Sequence, residues 1–216
     1  MELPFNLKLA ERLSQTQVVA VIVIEKVEDA VPMANALMEG GIDAIELTLR
    51  TPVAIEAMKK IVRELPEMSV GIGTVIEIEQ ARTVHGEGAA FAVAPGMNRK
   101  VMEEAIRLGL SFAPGVATPS DIETALEYGC RLLKFFPAEP IGGLSYLRSM
   151  AAPYMHLGIK YIPLGGIKPA NLKEYLEDPL IAAIGGSWIA PKDLINEKNW
   201  NMITVNSREA REITLS

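Results

Sequence analysis

The chain has 216 residues, 49% of them hydrophobic and 22% charged, with a net charge of -6 and a mean hydropathy of +0.20. That length predicts a single domain spanning residues 1–216, and the ordinary charged share excludes global disorder. The acidic balance without a basic cluster argues against a nucleic-acid partner, no apolar run reaches membrane-spanning length, and a single cysteine, Cys130, cannot form an intrachain disulfide, so a soluble cytoplasmic protein is expected.

In chain order, segment 1–17 carries Glu2, Lys8, Glu11 and Arg12 and has no apolar h-region, so it is not expected to be a signal peptide. Its Phe5, Leu9 and Leu13 suit a short helix whose apolar side covers the bottom of the following fold. Apolar strand-like runs then alternate with helical ones. The strands are expected at 18–24, 44–49, 70–72, 89–93, 110–113, 131–136, 160–164 and 181–184. Helical stretches are expected at 28–38, 53–64, 100–108, 120–128 and 170–176. Alternation of this kind predicts βαβ units and a parallel sheet.

The glycines punctuate the same pattern. Gly40-Gly41, Gly88, Gly109 and Gly129 stand where helices give way to strands, a place for the left-handed conformation. Gly71-Ile72-Gly73, Pro95-Gly96, Pro114-Gly115, Pro137, Gly165-Gly166 and Gly185-Gly186 are read as strand ends. Eight strand candidates without a linker favour a closed (β/α)8 TIM barrel with a short N-terminal helix over a doubly wound sheet.

In such a barrel the active site lies at the C-terminal ends of the strands, so charged residues inside strands are the first to consider. In 44–49 and the residue after it, Ile45, Leu47 and Leu49 share one face, and Glu46, Thr48 and Arg50 share the other. The apolar face should pack on helices and the polar face should point inward; the alternative is an edge strand with a solvated face. In 131–136, Lys134 sits among large apolar side chains, where desolvation disfavours its charged form. A desolvated amine is a nucleophile for carbonyl carbon; the alternative is a structural ion pair with an inward carboxylate. Glu46 and Lys134 fall on the second and sixth expected strands, which face each other across a barrel of eight. An amine and a carboxylate sharing one pocket suit imine chemistry, with the carboxylate moving protons.

Gly165-Gly166 and Gly185-Gly186-Ser187 follow the seventh and eighth expected strands, where barrels often bind phosphate through backbone N–H groups; ordinary turns are the alternative. His85 and His156 are isolated, so neither a zinc site nor another metal is expected. Cys130 reads as a small buried residue, the scattered methionines as core filler, and Trp188 as a packing, pocket or subunit-contact residue.

Together these segments resemble the bacterial KDPG/KHG aldolase family. The matching runs are Glu46-Leu47-Thr48-Leu49-Arg50-Thr51, Gly71-Ile72-Gly73-Thr74-Val75, Phe91-Ala92-Val93-Ala94-Pro95-Gly96, Pro114-Gly115-Val116-Ala117-Thr118, Lys134-Phe135-Phe136-Pro137-Ala138-Glu139, Gly165-Gly166-Ile167 and Gly185-Gly186-Ser187-Trp188. The resemblance implies a class I aldolase that cleaves 2-dehydro-3-deoxy-6-phosphogluconate to pyruvate and glyceraldehyde 3-phosphate, or 4-hydroxy-2-oxoglutarate to pyruvate and glyoxylate. It implies Lys134 as the Schiff-base lysine and Glu46 as the general acid/base. Arg50, Thr74 and Pro95 are implied around the pyruvate carboxylate, with Gly165, Gly166, Gly186 and Ser187 in the phosphate segments. It further implies a homotrimer that needs no metal or cofactor and binds a small 2-oxo acid or phosphosugar acid.

One residue departs from the pattern. Leu164 precedes Gly165-Gly166, where gluconate-type relatives are expected to carry a hydroxyl residue, usually threonine. Leucine cannot bond a substrate hydroxyl, which leaves the gluconate acid, its galactonate epimer and hydroxyoxoglutarate as alternatives. Two other classes compete: a phosphosugar-binding barrel isomerase or synthase without covalent catalysis, and a non-catalytic barrel serving as a scaffold.

Overall fold

The computed structural model describes residues 5–215; residues 1–4, at the start of the expected N-terminal helix segment, lie outside the described part. Helix α1 (Leu7–Thr16) leads into β1 (Val18–Ile22), α2 (Ala30–Glu39), β2 (Ala44–Thr48), α3 (Ala54–Glu64), β3 (Ser69–Gly73), α4 (Ile78–Gly86) and β4 (Phe91–Val93). Then come α5 (Arg99–Leu108), β5 (Phe112–Ala113), β6 (Gly115–Val116), α6 (Pro119–Glu127), β7 (Leu132–Phe135), α7 (Gly143–Ala151), β8 (Lys160–Pro163), α8 (Pro169–Leu176), β9 (Ile184–Gly186), α9 (Lys192–Asn196) and α10 (Trp200–Leu215). The helices α4, α7, α9 and α10 were not among the expected stretches.

Every strand pair is parallel. The strands form a sheet of six in the order β5-β4-β3-β2-β1-β9 and a sheet of three in the order β6-β7-β8. A single sheet of eight strands is therefore not what pairing alone delivers. The break falls at Pro114, which has no N–H to give to a ladder. Its carbonyl still accepts from the Lys134 N–H at 2.9 Å, so the chain leaves β4 through β5 and joins β7 through β6. Isolated parallel bridges, Tyr161 with Ile181 and Leu164 with Gly185, lie between β8 and the segment of β9.

The last strand corrects the sequence reading. It runs over Ile184–Gly186 rather than 181–184, and Gly185-Gly186 are strand residues opposite Val19 and Ala20 of β1 rather than a turn. Packing explains the choice of residue: a Cβ on Gly185 would stand 2.3 Å from Leu164 Cγ. Gly73 closes β3, as the strand-end reading of Gly71-Ile72-Gly73 has it. The helix-ending glycines behave as expected at Gly41, Gly88, Gly109 and Gly129, with φ of 89°, 87°, 69° and 78°. Gly40 is different: it keeps right-handed φ, and a Cβ there would lie 2.2 Å from Ser207 Cβ, so it is small to let α10 approach α2.

Two apolar clusters follow from strand alternation. The larger lies between strands and helices and takes Ile45, Leu47, Ile72, Leu133 and Phe135. The smaller lies on the other strand face and takes Val19, Ala44, Phe91, Val93, Ala113, Leu132 and Ile162. Helix α1 closes that inner cluster from below. Asn6 caps it by accepting from the Leu9 N–H at 3.2 Å, and Phe5, Leu9 and Leu13 pack inward as expected.

Candidate active site

Strand β2 alternates as its sequence requires. Ile45 and Leu47 join the helix-facing core, while Glu46 points the other way and is only 3% exposed. Lys134, midway along β7, is 5% exposed. Its Nζ donates to Glu46 Oε1 at 2.9 Å and lies 5.5 Å from the Phe136 ring centroid, within cation–π reach. Such contact across the interior depends on a missing side chain. A Cβ on Gly73 would fall 2.0 Å from Glu46 Oε1, so glycine in β3 leaves the space the carboxylate occupies. Thr48, the next residue on the same face, donates from Oγ1 to the Ile22 carbonyl at 3.1 Å and is spent on structure.

The pair opens on a cavity of about 300 Å³ at the C-terminal ends of the strands. Its walls include Glu46, Arg50, Thr74, Pro95, Lys134, Gly165, Gly166 and Ser187, so the structure brings together all but one of the residues singled out in the sequence. The exception is Gly186, which lies in β9 outside the lining; Gly185 takes its place. A Cβ at Gly186 would meet Trp188 Nε1 at 2.9 Å, so its smallness serves packing against that indole. Trp188 itself is half-buried and outside the lining, which leaves it a packing role. Val21, Phe136 and Ile167 also line the cavity and were not anticipated. Phe136 had a signal, since it shares the inward face with Lys134 two residues on.

The rim differs from the floor. Arg50 follows β2 and is exposed, and among the described residues no carboxylate pairs with its guanidinium. Thr74 directly follows β3 with φ of 65°. For a β-branched residue that is an outlier costing about 1–3 kcal/mol, of the sort concentrated at ligand sites. Pro95 can come close because Gly115 has no side chain; a Cβ there would be 2.3 Å from the Pro95 carbonyl oxygen. Gly165 and Gly166 hold φ of 98° and 89°, and Leu164 lines the wall beside them.

The two histidines and the cysteine lie where their sequence context suggested. His85 and His156 are exposed, and among the described residues no three His, Cys, Asp or Glu side chains are placed to hold a metal. Cys130 is buried, and burial pushes its thiol up to about 12, which leaves it a packing residue. None of the helices among the described residues is long and apolar enough to cross a membrane.

The arrangement has a chemical meaning. An ammonium has three donors, and among the described residues Glu46 is the one hydrogen-bond partner of Lys134 Nζ. The rest of its capacity faces the cavity. A buried amine beside a carboxylate, with a free guanidinium at the rim, defines a parallel α/β protein whose site is built for anionic carbonyl compounds.

Comparison with known proteins narrows that class. Residues 9–205 match the family model for KDPG and KHG aldolase. The chain is 40% identical to 2-dehydro-3-deoxy-phosphogluconate aldolase of Treponema pallidum, over 94% of this chain and 96% of that protein. It is 40% identical to KHG/KDPG aldolase of Escherichia coli strain K12, over 93% of each chain. Its structure resembles that of KDPG aldolase from Legionella pneumophila, solved with pyruvate captured at low pH as a covalent carbinolamine intermediate. The TM-score is 0.88 at 38% identity, covering 92% of this chain and 96% of that one. The chain belongs to the KDPG and KHG aldolase family.

Proposed function

We propose that the protein is a class I aldolase that cleaves 2-dehydro-3-deoxy-6-phosphogluconate to pyruvate and glyceraldehyde 3-phosphate. The observation that carries this reading is the 2.9 Å contact between Lys134 Nζ and Glu46 Oε1 on the floor of the cavity. A proton passes from the ammonium to the Glu46 carboxylate and leaves a neutral amine, which attacks the C2 carbonyl. The carbinolamine takes the proton back from Glu46 on its hydroxyl and loses water, giving the protonated imine. The C4 hydroxyl then gives up its proton to Glu46, the C3–C4 bond breaks, and its electron pair flows into the imine. The aldehyde leaves and an enamine remains. Glu46 returns the proton to C3, and one water hydrolyses the imine to free pyruvate and the amine.

Arg50 and the Thr74 and Pro95 segments are suited to the substrate carboxylate, since the guanidinium has no carboxylate partner among the described residues and lines the same cavity as the lysine. The Gly165-Gly166 turn and Ser187 are suited to the phosphate, Gly186 contributing only through its backbone. Closure of the two sheets into an eight-strand barrel, with β5 and β6 as one strand broken at Pro114, is supported by the bridge of Leu164 to Gly185. A single domain, a cytoplasmic location and a homotrimer complete the proposal; the first two are supported by chain length and by the lone cysteine, and the trimer rests on the family alone.

Leu164 favours a second reading of the substrate. It lines the cavity where a hydroxyl partner was expected, so the C4 epimer of the galactonate series and 4-hydroxy-2-oxoglutarate are competing substrates. The test of the chemistry is to incubate the protein with pyruvate, reduce with borohydride and map the adduct. A pyruvate-derived adduct on Lys134 is expected. A folded protein with no adduct, yet tight binding of a phosphosugar, would replace the aldolase with a non-covalent isomerase or synthase.

A further inference from the structure

Behind the cavity wall lies a hydrogen bond that the reaction does not use. Tyr175 of α8 is 1% exposed, and its hydroxyl donates to Glu139 Oε1 at 2.5 Å. Burial first, and the Glu139 carboxylate second, push this phenol well above its ordinary range, so it remains a donor throughout the working pH. Glu139 stands just past β7, in the turn before α7. Its carboxylate lies at the start of α7, where a Cβ on Gly143 would be 2.8 Å from Oε1, and negative charge there is favoured by the helix dipole.

The same residue grips the turn after β8. The Glu139 N–H donates to the Gly165 carbonyl at 2.9 Å and the Ala138 N–H to the Leu164 carbonyl at 2.8 Å. The Glu139 stem fills the space beside Gly166, where an added Cβ would fall 2.6 Å from Glu139 Cβ. The left-handed Gly165-Gly166 turn is thus held from behind by Glu139, and the helix that continues from that turn, α8, returns Tyr175 to lock Glu139 in place. The geometry points to Tyr175 as a positioning residue, acting through Glu139, that sets the Gly165-Gly166 backbone for the phosphate of the substrate. This rests on the aldolase reading and adds a residue that touches no substrate atom.

The test uses the full chain and two readouts. One is KM for the phosphorylated substrate; the other is the pyruvate concentration that half-saturates borohydride trapping on Lys134, which involves no phosphate. Tyr175→Phe is expected to raise KM about tenfold while leaving pyruvate trapping within about twofold of wild type. Glu139→Ala removes the acceptor from the exposed end and gives the same signature should Tyr175→Phe not fold. Glu139→Gln keeps an acceptor and stays near wild type. An unchanged KM, or equal shifts in both readouts, would overturn the positioning role. Failure of wild type to trap pyruvate at all would instead sink the aldolase reading on which it stands.

Discussion

Removing one member of the Lys134–Glu46 pair should cost far more stability than removing both. The two side chains are 5% and 3% exposed and touch at 2.9 Å. Taking each ion out of water costs several kcal/mol, which their attraction repays only while both are present. In Glu46→Leu the ammonium stays buried without its carboxylate, a loss of about 3–5 kcal/mol. The neighbouring cavity of about 300 Å³ admits water to the stranded charge, which places the loss near the lower end. A loss of about 3 kcal/mol lowers Tm by about 6–12 °C in a chain of this size. In Glu46→Leu with Lys134→Met both charges are gone and apolar volume replaces them, so stability should return to within about 1 kcal/mol of wild type or exceed it. Urea unfolding of the four proteins of this cycle, followed by circular dichroism, supplies the comparison. A double variant as unstable as Glu46→Leu, or a single variant that loses nothing, would refute the reasoning.

Gly73→Ala should leave the fold intact and displace the carboxylate, because the new methyl would arrive 2.0 Å from Glu46 Oε1. Its kcat is expected to fall by about 10²–10⁴, the usual share of a general acid/base, while an unaltered rate would show that the carboxylate position is not critical. Glu104 is flanked by Arg107 and Arg82, whose hydrogen bonds hold its carboxyl down to about 2. The depressed value stabilises the fold at pH above an ordinary carboxylate pKa, and that contribution drains away as pH falls towards 2. Glu104→Gln should therefore flatten the acid limb of a Tm-against-pH curve, and identical curves would count against it. Cys130, raised to about 12 by burial, should resist iodoacetamide at pH 8 in the native protein and react only after unfolding; rapid native labelling would contradict its placement.

Much of this site was legible because strand periodicity is strict. The alternation Ile45-Glu46-Leu47-Thr48 fixes which side chains meet the helices, and Lys134 among Leu133, Phe135 and Phe136 marks an inward polar group without reference to any fold. The convergence of Glu46 and Lys134 was expected from the second and sixth strands, and the two side chains touch at 2.9 Å. The glycines misled where smallness, not turn geometry, was the reason for them. Gly185 sits inside β9 to make room for Leu164, a contact between residues far apart in sequence that no local pattern encodes, and Gly186 gives way to the indole of nearby Trp188. The strand expected at 110–113 appears as β5, and beyond Pro114, which lacks an N–H for a ladder, the short β6 was not expected. The Tyr175–Glu139 bond was invisible for the same long-range reason, as was the left-handed backbone of Thr74, since nothing in Gly73-Thr74-Val75 announces a positive φ on a β-branched residue.

The distribution of unfavourable features argues for where the chemistry is done. The lower interior, from Phe5 and Leu13 through Ala44, Phe91 and Leu132, is apolar and well buried. Around the cavity at the top of the strands the fold brings together a buried ion pair, a left-handed threonine and two consecutive left-handed glycines. Each could be replaced by something more stable: apolar side chains for the pair, and a glycine at Thr74, which adopts positive φ freely. Stability alone gives no reason for these features to share one cavity, whereas a lysine that must shed a proton, a carboxylate that must receive it and a backbone turned towards an anion require that they do. If Thr74 serves only packing, Thr74→Gly should relieve strain and leave KM alone. If its side chain helps hold the substrate carboxylate, the same change should raise Tm and weaken pyruvate trapping together, and that opposed pair of shifts is what the clustering predicts.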